Sequence, residues 1–324
     1  MYPKYFIGPM TKNVVDAIID YNNTTNNAIG LIPSRRQIEY NGGYVNNWNT
    51  LEFSNYIKSK NSNIILQRDH GGPGQGNNND TGLTSFIEDC KYLNLIHIDP
   101  WKQYPKFSEG VDYTVNLIKF CYSLNPNIEY EIGTEESIRR FDTSELNELV
   151  YNLKILLEPK IYKQIKYLVI QSGTSLKENF QTGNFDSRRL QDMINVCKHH
   201  NLLSKEHNGD YIPIGVIKQK FELGLDSINI APEFGLIETQ TYLDNITDEE
   251  TLFEFWNICY KSNKWIKWVE QDFNPIENKI ALIKICGHYI LSYPEFLGIK
   301  KKFPYIDEEI KSRVIYKLNE LYGY

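Results

Sequence analysis

The 324-residue sequence predicts an α/β protein, a (β/α)8 TIM barrel with a C-terminal helical extension. Three observations lead there. Short apolar runs alternate with amphipathic stretches eight times between Tyr5 and Asn245. The runs are continuously apolar, as suits parallel strands covered on both faces. Every run but the first ends in polar side chains. A doubly wound open sheet would carry fewer strands and a glycine fingerprint after its first strand, and Gly8-Pro9-Met10 is not one.

The units follow in order. Tyr5-Phe-Ile7 precedes a helix over Lys12–Tyr21 with Thr11 as N-cap. Ala28–Ile32 precedes Thr50–Lys58, with Thr50 as cap. Ile64–Leu66 delivers Arg68, Asp69 and His70, then a glycine loop over 71–76 and a helix over Ser85–Leu93. Leu95–Ile98 leads to Val111–Ser123, and Ile128–Ile132 to Ser144–Leu157, capped by Thr143 or Ser144. Tyr167–Ile170 leads to Ser187–His199, the weaker Leu202–Lys205 to Ile214–Leu223, and Ser227–Ile230 to Phe234–Leu243. Past Asn245 the strand pattern stops. Helical stretches over Glu249–Ser262, Asn278–Tyr289 and Ile306–Leu321 divide the chain into a barrel (1–245) and a helical extension (246–324) packed on it. The extension's aromatics, among them Trp265 and Trp268, read as core or subunit-contact residues.

Composition bounds the function. With 41% hydrophobic residues the chain can bury a full core, and its net charge of −6 gives no basic surface for nucleic acid. No apolar run reaches the roughly 18 residues that cross a bilayer, and the start lacks a secretory pattern. Five scattered cysteines without CxxC spacing read as reduced thiols. A cytoplasmic protein without nucleic-acid or membrane partners is expected.

Barrel chemistry sits at the C-terminal ends of the strands. Those ends carry Arg35 and Arg36 (second), Arg68, Asp69 and His70 (third), His97 and Asp99 (fourth), and Glu129 and Glu131 (fifth). Gln171 and Ser172 end the sixth, Lys205, Glu206, His207 and Asn208 the seventh, and Asn229 the eighth. His70 and His207, at separate ends with carboxylates nearby, suit a mononuclear Zn2+ site. His97, one residue before the rim, reads as packed inside the barrel wall, and His288 as structural. Lys205 as a Schiff-base amine is the weaker rival. The glycine loop lacks phosphate-loop spacing and reads as a lid.

The ordered set Arg36-Gln-Ile-Glu-Tyr-Asn-Gly-Gly-Tyr44, Asp69-His-Gly-Gly-Pro73, Ile96-His-Ile-Asp99, Tyr130-Glu-Ile-Gly-Thr-Glu135, Glu206-His207 and Asp210-Tyr211 resembles the Z-type subunit of tagatose-bisphosphate aldolase, a family also described as tagatose-6-phosphate 4-epimerases. The similarity spans about Phe6 to Asn245. More distantly the chain is similar to class II, zinc-dependent ketose-bisphosphate aldolases. The resemblance implies Asp69 and Glu131 as catalytic groups and His70, His207 and Glu131 as metal ligands. It places Asn229 on the substrate, with Arg35, Arg36, Arg68, Asp99, Gln171, Ser172 and Asn208 as further substrate contacts from the rim. It implies a sugar or sugar-phosphate aldolase or epimerase, or else a non-catalytic stabilising subunit. The assembly would be a homo-oligomer or a hetero-complex with a catalytic aldolase subunit. Two departures stand out. The stretch Ser172–Lys177 has no counterpart of the aldolases' strand-six zinc histidine, and Glu233 puts a carboxylate near the usual phosphate loop.

Overall fold

The computed structural model describes residues 2–60, 63–177 and 180–323. Eight parallel strands close a barrel: β1 Tyr5–Ile7, β2 Ile29–Leu31, β3 Ile65–Gly71, β4 Leu95–Ile98, β5 Glu129–Ile132, β6 Ile165–Ile170, β7 Leu203–Glu206 and β8 Ser227–Ile230. Closure comes from β1, which pairs with both β8 and β2. Barrel helices follow in turn: α1 Lys12–Thr25, α2 Thr50–Ser59, α3 Leu83–Tyr92, α4 Phe107–Leu124, α5 Thr143–Leu156, α6 Ser187–His199, α7 Ile214–Glu222 and α8 Pro232–Asn245. A small hairpin, Leu176–Lys177 with Phe180–Gln181, interrupts the β6–α6 connection.

Local chemistry explains the ends. Thr11 caps α1 by accepting from the Val14 amide at 3.1 Å, as its position predicts. Two expected caps shift by a residue or two. Asn49, not Thr50, caps α2 through a reciprocal box with Glu52, and Asp142, not Thr143 or Ser144, caps α5. Both have β-region backbone and a side-chain oxygen facing the third amide, the geometry a cap requires.

The barrel is filled in layers. Phe6, Leu95 and Tyr167 form an apolar plug with Ile32, and the Phe6 and Tyr167 rings meet edge-on at 5.7 Å. Gly30 makes room for it: a Cβ there would come within 2.1 Å of the Phe6 ring. Above the plug the interior turns polar.

After α8 come α9 Glu249–Ser262, α10 Lys279–Cys286, α11 Pro294–Lys300, unforeseen in the sequence, and α12 Ile306–Tyr322. The last packs along α1 and α8, and its Tyr322 hydroxyl reaches the Ala28 carbonyl at 2.8 Å. The five cysteines are buried and unpaired, and among the described residues no helix is long and apolar enough to cross a membrane.

Glu238 of α8 is buried, accepting from the Thr11 hydroxyl and, at 2.9 Å, from Asn13. Burial pushes its carboxyl up to about 7. The folded state thus binds more protons than the unfolded chain between about pH 4.5 and 7. Stability should therefore fall as pH rises through that window, by about 3 kcal/mol from this group. Urea denaturation of wild type and Glu238→Gln at pH 5 and 8 checks it: the variant should lose that slope.

Candidate active site

Adjacent residues on a regular strand face opposite sides, so Asp69 and His70 would not normally share a site. Here β3 bulges. Its register to β4 shifts between Arg68 and Gly71, His70 takes a left-handed backbone with φ 44°, and Gly72 follows at φ 134°. The bulge brings both side chains to the barrel mouth.

There Asp69, His70, His97 and His207 offer ligand atoms all within 4.8 Å of one another. The three imidazole centroids form a triangle with 5.0 Å sides. Each ring is held from behind. His70 Nδ1 meets Asp99 Oδ2 at 2.6 Å, His97 Nε2 meets the Gly133 carbonyl at 3.0 Å, and His207 Nε2 meets Glu131 Oε1 at 2.7 Å. That leaves His70 Nε2 and His207 Nδ1 facing the cluster. His97 Nδ1 accepts from the His70 amide at 3.2 Å, a contact it must give up to act as a ligand. Imidazoles fixed by a carboxylate or carbonyl on the far nitrogen, beside the Asp69 carboxylate, fit a borderline divalent ion such as zinc.

The charges follow from the packing. Burial works against a charged His70, but Asp69, the Asp99 hydrogen bond and Glu135 together lift it to about 10. Burial holds His97 below its ordinary value. Glu131, though buried, is kept well below the carboxylate range by Lys205, His97 and His207. Asp99→Asn should bring the His70 imidazole back toward its ordinary range, read by NMR titration of the ring protons in metal-free protein.

Glu131 lies behind the cluster. Its Oε2 accepts from Lys205 at 2.9 Å and Gln67 at 2.8 Å, and Lys205 also donates to Gln67 at 2.5 Å. This layer seals the barrel between the histidines above and the Phe6 plug below. Lys205 stands 3.3 Å over the Phe6 ring and is fully buried, which leaves no path for Schiff-base chemistry. Glu131 therefore sits as the support of His207 and not beside His70 as a ligand.

Several expected substrate contacts lie elsewhere. Arg35 is clamped by Glu39 and by both oxygens of Asp80, and donates to the Gly72 carbonyl at 2.9 Å. Arg68 is fully buried outside the barrel wall, bidentate to Asp89 and bonded to the Pro33 and Ile38 carbonyls. Gln171 is spent on the Thr134 and Arg139 carbonyls and the Phe141 amide. Ser172 faces Glu206 and Lys220. Asp99 is a buried anchor for His70. The glycine loop is tethered: Arg35 holds Gly72, and Gln75, largely buried, donates to Asp99. It packs beside the site and does not cover it.

Asn208 and Asn229 do line the cleft, of about 220 Å3, with Asp69, His70, His207 and Trp268. Asn229 Nδ2 lies 3.4 Å from Asp69, while its buried Oδ1 has no partner among the described residues, an acceptor waiting for a donor. Arg36 lines an adjoining cleft of about 210 Å3 that shares Asp69 and Trp268 and adds Lys267. Sequence reasoning missed Glu135, whose Oε2 is 3.9 Å from His70 Nε2, and the contribution of the extension through Lys267 and Trp268. It placed His97 in the wall, although the His97–Glu131 register turns that ring into the cluster.

Fold and site together define a parallel eight-stranded barrel with a histidine–carboxylate cluster at its C-terminal mouth. No family model matches the chain, and no curated protein does. Solved structures do. A probable tagatose 6 phosphate kinase from Sinorhizobium meliloti 1021 superposes with TM-score 0.76 at 14% identity, covering 99% of both chains. Fructose-bisphosphate aldolase from Campylobacter jejuni matches with TM-score 0.58 at 12% identity, covering 99% of this chain and 90% of that one. The YdjI aldolase from Escherichia coli K12 gives 0.53 at 15%, covering 91% and 92%. What the chain shares with them at these identities is the fold.

Proposed function

We propose that the protein is a metal-dependent carbohydrate or sugar-phosphate aldolase or epimerase that acts on a ketose next to its carbonyl. The observation that carries this is the convergence of Asp69, His70, His97 and His207, each ring fixed from behind. The barrel shared with two structures named as aldolases supports it. His70 and His207, with His97, would hold a divalent ion, zinc by donor chemistry, and that ion would supply Lewis acidity toward a carbonyl and its neighbouring hydroxyl.

The remaining steps belong to the chain. Asp69, partly exposed at the mouth, takes the proton of the hydroxyl whose carbon becomes the aldehyde. The carbon–carbon bond then breaks, and its electron pair delocalises into the ketose carbonyl. Asn229 Oδ1 accepts from a substrate hydroxyl and fixes the register. Rotation of the aldehyde before re-addition, with Asp69 returning the proton, gives the 4-epimer from the same groups.

One feature favours a second reading, a non-catalytic stabilising subunit of a tagatose-bisphosphate aldolase complex. The segment after β6 turns Ser172 to Glu206 and Lys220, and its sequence over 172–186 contains no histidine. Metal content and ketose-phosphate cleavage of purified protein separate the two. The enzyme reading expects stoichiometric zinc or manganese and turnover lost in Asp69→Asn. Metal-free protein, with His70→Ala silent in an assembled complex, would leave only the subunit.

A further inference from the structure

In barrels, phosphate is commonly cradled by the loops after the seventh and eighth strands and a helix N-terminus. In this chain that position is taken. Asp210 Oδ1 accepts from the Ala231 amide at 2.9 Å and the Glu233 amide at 2.8 Å, and Pro232 between them has no N–H. The Phe234 amide closes on the Ala231 carbonyl at 3.1 Å. Glu233 is itself occupied, by Lys317 at 2.6 Å and the Tyr211 amide at 2.8 Å. The amides at the start of α8 are satisfied by a protein carboxylyl group, and a second carboxylate stands beside it.

Unbalanced positive charge lies on the other side of the mouth. Arg36 follows β2, Lys102 follows β4, and Lys264 and Lys267 come from the extension. Among the described residues none of the four enters an ion pair with a carboxylate, though Asp99 acts on Lys102 and Lys102 donates to the Gly74 carbonyl at 3.2 Å, in a chain whose net charge is −6. Loss of water around the Lys267 ammonium, with Arg36, Lys264 and Lys102 nearby, pulls it down to about 7. The ammonium stands 4.4 Å over the Trp268 ring and 5.5 Å over Tyr289. Arg36 and Lys267 line both the cleft next to Asp69 and a wider one of about 750 Å3 that continues from it and adds Lys264. Like charges held this close to low-dielectric rings repel one another unless an anion joins them.

We infer that Arg36 and Lys267, supported by Lys102 and Lys264, form the subsite for the phosphate of a phosphorylated ketose whose carbonyl end lies at the histidine cluster. This rests on the proposed function for the carbonyl end, while the anion subsite itself stands on the cations alone. It gives the C-terminal extension a direct part in substrate binding. Arg36 supplies a bidentate fork and Lys267 a point charge.

Calorimetric titration of the full chain tests this with inorganic phosphate, a ketohexose phosphate and the same ketohexose unphosphorylated, each with and without zinc. Arg36→Gln/Lys267→Gln should weaken phosphate and phosphosugar on the order of a hundredfold, roughly tenfold per cation. Zinc stoichiometry, binding of the unphosphorylated sugar and the thermal midpoint should stay as in wild type. Equal phosphate affinity in the double variant, or none in wild type, overturns the subsite. So does phosphate binding that tightens on Glu233→Gln and ignores the two cations, since that places the anion at α8. Phosphate binding that follows Arg36 and Lys267 in protein that takes up no metal keeps the subsite and removes the aldolase reading.

Discussion

His207→Ala is expected to lower zinc affinity by more than about a hundredfold and to take ketose-phosphate cleavage down with it. Loss of a partner behind a ligand already costs about 10–100-fold, and in the proposed function His207 is a ligand itself. Folding should survive, because Glu131 keeps Lys205 at 2.9 Å and Gln67 at 2.8 Å when the imidazole goes. Competition with a chromophoric chelator measures the affinity. Stoichiometric zinc at wild-type affinity in this variant would remove His207 from the ligand set.

The second large effect concerns stability. Arg68 and Asp89 are both fully buried and joined by two bonds of 2.8 and 2.6 Å. Arg68→Ala strands the Asp89 carboxylate, whose remaining side-chain contact is Ser85 at 3.2 Å, and should cost about 3–5 kcal/mol. A buried pair replaced whole by apolar groups is often neutral, so Arg68→Met with Asp89→Leu should recover most of the loss. Denaturant unfolding reads both. The folded fraction of Arg68→Ala should keep the wild-type KM, since this guanidinium does not reach the cleft. A raised KM at unchanged stability would return Arg68 to the substrate.

These two residues mark what a linear reading can resolve. The eight-fold alternation was legible because continuous apolar runs need burial on both faces, and eight such runs without a glycine fingerprint after the first favour a closed parallel barrel over a doubly wound sheet. Strand ends were also legible as the polar rim. Direction was not. Arg68 and Asp69 are neighbours on one strand, yet one points back toward Asp89 and the other into the mouth, and the bulge after them changes the alternation again. His97 looked like wall because it precedes the rim by one residue, whereas its register with Glu131 aims it at His207. Arg35 and Ser172 have the chemistry of substrate contacts but had already found partners in Asp80 and Glu206. Lys267 and Trp268 lie far beyond the strand pattern, and nothing local ties them to the mouth. Asp69, His70, His207, Asn208 and Asn229 were the part of the site that residue type and position together could find.

The left-handed backbone of His70 bears on how any substitution there must be interpreted. For a non-glycine residue that conformation costs on the order of 1 kcal/mol or more, held in place by its surroundings. Alanine at position 70 removes the ring and also a side chain built to tolerate the turn, so a bulge relaxing into regular strand would rotate Asp69 out of the mouth as well. Asparagine is at ease in the left-handed region. His70→Asn therefore deletes the imidazole while keeping its neighbour in place, and the difference between the two substitutions isolates what the shape of the main chain contributes to the site.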